Sequence, residues 1–143
     1  MTDAARRMLL AILLIGTAGI TVELLLLGHD EDFNQLIPLG LAAATMITGV
    51  VISVKPTLGT VRLLQLVAVM LIVSGGLGMY FHFRATSEFQ LEMDPGLAGW
   101  ALFRKAILAK APPALAPGAM TQLGLLGLAY TFRHPALQSG RKP

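Results

Sequence analysis

Four long runs almost free of charge constrain this chain more than any other feature. They cover residues 8–27, 35–54, 63–83 and 113–132, and among them only Glu23 is an acid or a Lys/Arg base. About 20 helical residues at 1.5 Å each cross a hydrocarbon core about 30 Å thick. Inside lipid, backbone polar groups must be satisfied within the segment, which leaves helices as the economical solution for single runs of this kind. Composition agrees: 55% of the 143 residues are hydrophobic and 13% charged, where soluble domains carry about 25% charged residues. The expectation is an all-α integral membrane protein, a four-transmembrane-helix bundle forming a single transmembrane domain over residues 1–143.

Arg6 and Arg7 precede the first run as they would in a secretion signal. The run outlasts a signal's apolar region and lacks a small-x-small cleavage pattern, so it reads as a retained anchor. Orientation follows from the remaining bases. With the N-terminus cytoplasmic, the inner side carries Arg6, Arg7, Lys55, Arg62, Arg133, Arg141 and Lys142, and the outer side Arg84, Arg104, Lys105 and Lys110, a count of 7 against 4. The excess of Lys and Arg puts both termini in the cytoplasm. The Leu/Ala-rich, short-looped design points to a bacterial cytoplasmic membrane. The net charge of +3 is spread beside apolar runs as a topology signal, so nucleic acid is not an expected partner.

The connections "GHDEDFN" and "KPTLGTVR" are short and predict antiparallel hairpins. Residues 84–112 form a long outer segment. Within it "SEFQLEM" alternates polar and apolar residues, which predicts an extended stretch. "DPG" at 94–96 predicts a turn, and "LAGWALFRKAILAK" a short interfacial helix with Trp100 and Arg104 as anchors in the headgroup layer. Arg104 is placed on the same side as Leu97, Trp100 and Leu108, so that helix is expected to be only weakly amphipathic.

Lipid offers little hydrophobic drive between helices, so small residues mark packing faces. Gly16 and Gly19 align with Glu23; Ala42, Thr45 and Gly49 align on the second run. Gly75 and Gly78 align with His82 on the third, and Gly124, Gly127 and Thr131 align on the fourth. These stripes predict that Glu23 and His82 point toward other helices.

Two candidate sites follow. Glu23, roughly 7 Å below the outer end of its run at the helical rise, is an intramembrane acid and thus a candidate proton or cation site, with Gln122 and Tyr80 as partners. No cofactor is expected; if a divalent metal binds, His29 and His82, with Asp30, Asp32 and Glu88 nearby in sequence, are its candidate ligands. No His-x-x-x-His or Glu-x-x-His pair supports it, and the absence of cysteine excludes thiolate chemistry, disulfides and Cys-ligated metal. The scattered methionines read as core filler. No nucleophile elbow or phosphate loop is present. The function expected is therefore a non-enzymatic accessory or homo-oligomeric subunit of a membrane complex, surrounded by the lipid bilayer. The alternative is a small transporter or a metal- or proton-handling protein with an outer Glu/His site.

Overall fold

A computed structural model describes residues 1–109 and 115–139. The described residues form six helices and no strand: α1 (Asp3–Leu26), α2 (Phe33–Val54), α3 (Leu58–Met93), α4 (Gly99–Ile107), α5 (Leu115–Thr131) and α6 (Pro135–Ser139). α1, α2 and α3 are long and apolar enough to cross a membrane. At 1.5 Å per residue their 24, 22 and 36 residues extend roughly 36, 33 and 54 Å. The described part of α5 has 17 residues, about 26 Å.

Local chemistry sets the helix ends. The Thr2 hydroxyl accepts from the Ala5 amide at 3.3 Å, while Asp3 sits in the first turn, where the helix dipole favours an acid. At the other end of α1 the Gly28 amide bonds the Leu25 carbonyl and the His29 amide bonds the Leu24 carbonyl, at 3.1 and 2.9 Å. This double bond pattern needs a left-handed residue, supplied by Gly28 at φ +64°. The Gln35 side chain closes the start of α2 by accepting from the amides of Glu31 and Asp32 at 3.0 and 3.3 Å. Thr57 and Thr60 exchange hydrogen bonds at the start of α3.

α1 packs on α2 and α5, and α3 packs on the same two helices, so these four form a ring; α4 and α6 rest on α3. Leu10, Leu13, Ile20, Leu24, Leu41, Ile52, Leu64, Leu71 and Leu123 fill the centre. Large apolar side chains also cover the outside: Leu26 and Val54 are 82% and 83% exposed, and Ile15, Ile47 and Val73 stand out beside them. Apolar groups on both faces suit a hydrocarbon solvent and would aggregate in water. The buried threonine hydroxyls are satisfied within their own helices, Thr17 by the Leu13 carbonyl at 2.7 Å and Thr45 by the Leu41 carbonyl at 2.8 Å, so they need no water.

Six of the seven expected packing glycines are close-contact sites. A side chain at Gly16 would meet Leu123, one at Gly49 would meet Leu14, and those at Gly75 and Gly78 would meet Pro117, with Thr121 also against Gly75. Gly124 and Gly127 lie against Ala68. Gly19 is the exception, with nothing within 4 Å of where its Cβ would stand.

Two local expectations are overturned. "SEFQLEM" is helical, the last part of α3. Its alternation is too short to compete with a stretch that has no Gly or Pro between Gly78 and Pro95 and an i,i+4 Arg84–Glu88 pair at 2.8 Å. α3 ends only at Asp94, the residue before proline, where helical backbone clashes with the ring. The "DPG" turn then forms as expected: the Leu97 amide bonds the Asp94 carbonyl at 3.1 Å. α4, in turn, is clearly amphipathic. Leu102, Phe103 and Ala106 lie within about a third of a turn of one another at 100° per residue and face α3, while Arg104 falls on the opposite side and Lys105 at the border between the two.

Candidate functional site

The buried line of α1 is Arg6, Leu10, Leu13, Thr17, Ile20 and Leu24. Glu23 precedes Leu24 by one residue, hence by 100° of rotation, and this turns its carboxylate out of the ring. It is exposed, beside the exposed Val22, Leu25 and Leu26. Gly16 sits at the rim of the interface and Gly19 beyond it, so the glycine stripe that suggested an inward acid runs along an edge. Gln122 and Tyr80 are exposed as well, and no hydrogen bond or ion pair joins either of them to Glu23 among the described residues. The antiparallel packing explains why Gln122 is out of reach. Leu123 lies against Gly16, which places Gln122 near that level, about two turns below Glu23.

His82 is also exposed, although it lies one turn beyond Gly78, which packs against Pro117 of α5. The His82 ring instead meets His29, delivered by the Gly28 cap of α1, with ring centroids 6.2 Å apart and planes 26° from parallel. Burial, and then the neighbouring His82, hold His29 below the ordinary imidazole value of 6.5, which keeps it neutral and a competent ligand near pH 7.

The acids expected to join them do not. Glu88 accepts from Arg84, which raises the guanidinium's pKa chiefly through that hydrogen bond. Asp32 caps α2, and Asp30 stands exposed. Among the described residues no group of three or more metal-ligating side chains converges. The imidazole pair is thus the part of the expected metal set that comes together.

Trp100 and Arg104 are both exposed on α4. With Leu97, Ala101, Lys105 and Leu108 they line an open groove. Trp100 stacks on Phe103 at 5.1 Å, and Phe103 meets Phe83 of α3 at 5.6 Å.

A polar cluster at the opposite end escaped the sequence reading. Arg6 is 8% exposed. Its Nη1 donates to the carbonyls of Tyr130 and Phe132 at 2.9 and 3.4 Å, and its Nη2 to that of Arg133 at 3.2 Å. Arg133 takes a left-handed φ of 47°, the usual helix-ending conformation, here without a glycine. The carbonyls at the end of α5 therefore converge on one guanidinium, which also complements the negative end of the helix dipole. His134 packs against Tyr130 at 5.6 Å, and its Nδ1 accepts from the Ala136 amide at 3.2 Å. Burial, and then Arg6, hold His134 below 6.5. The signal was present in "ARRM" and "RHP", both basic and both assigned to one side, but helical periodicity does not say which base reaches which carbonyl.

No protein-family model, no curated protein and no solved structure matches this chain.

Proposed function

We propose that the chain is a multi-pass protein of a cytoplasmic membrane, crossed by α1, α2, α3 and the run that contains α5, with both ends of the chain cytoplasmic. Its role in this reading is non-enzymatic: a homo-oligomeric or accessory subunit of a membrane complex. The observation that carries the reading is Glu23, a carboxylate without a partner among the described residues, on an outward apolar face. An acid at the bilayer centre costs about 2.5 to 3.5 kcal/mol on insertion scales, and less toward the edge. A neighbouring subunit that offers a hydrogen-bond donor to Glu23 offsets that cost. Purification in a gentle detergent with mass determination tests this. The expected result is an assembly larger than one chain that Glu23→Leu weakens, and a lone monomer with nothing co-purifying would sink the proposal.

A second reading, an outer metal site, is favoured by the His29–His82 approach. With metal–nitrogen bonds of about 2.0–2.1 Å, two imidazoles on one ion have ring centroids roughly 5 to 6 Å apart, close to the 6.2 Å between these rings. Calorimetric titration with zinc is expected to show saturable binding that His82→Ala abolishes, and equal affinity in that variant would remove the pair from consideration.

A further inference from the structure

The groove on α4 is lined by Trp100 and Arg104, the two residues expected to anchor this helix in the headgroup layer. One face of the helix is fixed: Ala106 is fully buried, and Phe103 rests on Phe83. Phe83 is the last residue of the third apolar run, so α4 lies where, in the membrane reading, hydrocarbon gives way to headgroups. On the free flank Trp100 and Leu108 are 73% and 69% exposed. Arg104 stands between them along the helix and has no acidic partner among the described residues. Lys105 is 3.6 Å from Asp94, both about half exposed. Two cations and one acid leave the flank with a net positive charge. Arg104 and Lys105 also suit the last turn of α4, but that role is filled by the charges alone and leaves the guanidinium's donors free.

We propose that this groove binds a phospholipid whose headgroup is net negative, in the leaflet on the α4 side. The Arg104 guanidinium pairs with the phosphodiester, for which its fork geometry is suited. Lys105 supplies a second positive charge, and Trp100, Leu97 and Leu108 cover the glycerol and the first acyl carbons. A zwitterionic headgroup fits less well, because the flank is net positive and its acid, Asp94, is already paired with Lys105. The inference rests on the membrane reading, and its test separates the two.

Trp100 is the single tryptophan of the chain, so intrinsic fluorescence of the whole protein reports on this groove. The protein is placed in nanodiscs of phosphatidylcholine with a rising fraction of phosphatidylglycerol. Emission blue-shifted from the water-exposed position is expected in pure phosphatidylcholine, with a further saturable shift as phosphatidylglycerol is added. Arg104→Gln is expected to raise the fraction needed for half the shift roughly fivefold, since one basic residue at a charged surface contributes about that factor; Arg104→Lys should fall between. Both substitutions lie on the exposed flank, and an unchanged circular dichroism spectrum checks that the fold is kept. A blue shift in phosphatidylcholine with no response to phosphatidylglycerol, or a response equal in Arg104→Gln, overturns the groove and leaves the membrane reading standing. Water-like emission in both lipids overturns both. If millimolar inorganic phosphate reproduces the shift in phosphatidylcholine discs, the ligand is free phosphate and the lipid proposal fails.

Discussion

The two ends of the helix ring handle polar groups in opposite ways. At the Arg6 end a cation is buried and bonded to three carbonyls, at the end of α5 and just after it, made more than a hundred residues later. At the His29 end Glu23, His82, Trp100 and Arg104 stand exposed, and polar contacts there stay within one helix or between neighbouring turns, apart from the His29–His82 approach and the Lys105–Asp94 pair. The difference separates roles. A polar group whose partners are all internal serves cohesion, whereas polar groups left open on a scaffold of close-packed glycines are available to something outside the chain.

The largest expected effect lies at the closed end. Arg6→Ala leaves the α5 carbonyls without their shared donor and should cost about 3 kcal/mol, since hydrogen bonds to charged groups are among the stronger ones. A fall in the thermal midpoint in detergent measures it, and a change as small as that of Arg7→Ala would erase the contrast between the two ends. Next are the glycines between the two ends. Gly75→Ala pushes a methyl against Thr121 and the Pro117 carbonyl and should cost about 1–3 kcal/mol from overpacking. Gly19→Ala, in open space, should add up to about 0.5–1 kcal/mol through the helix preference of alanine. The smallest effect is that of pH. Because the folded chain holds His134 below 6.5, the unfolded chain binds the proton more readily, and stability falls as pH drops through 6.5 toward the lower folded value. His134→Gln is expected to flatten that decline. The slope that remains belongs in part to His29, lowered in the same direction.

Helix existence was legible in the sequence because charge-free length is a one-dimensional property, and the packing glycines were legible because small residues leave a periodic trace. The facing of Glu23 was not. A stripe identifies residues that share a side of a helix, but only the partner helices decide whether that side is the centre of an interface or its rim, and α1 settles on the line through Leu13 and Leu24. The helical end of α3 was not legible because period-2 alternation over a few residues imitates a strand, while what decides the backbone is the absence of any breaker before Pro95. The histidines were both visible, yet their meeting depends on the Gly28 turn, which sets where the chain leaves α1.

The Arg6 contacts also carry an order of events. Arg6 leaves the ribosome early, and the carbonyls of Tyr130, Phe132 and Arg133 are synthesised 124 to 127 residues later. During synthesis the guanidinium has none of the three acceptors it ends with, and its helix has one of its two ring neighbours, α2, but lacks α5. Closing so long a loop carries a substantial entropic cost, met by a contact that is available only once α5 has been made. The ring is therefore latched by its first and last helices, and a chain truncated before Tyr130 loses the latch together with the end of α5.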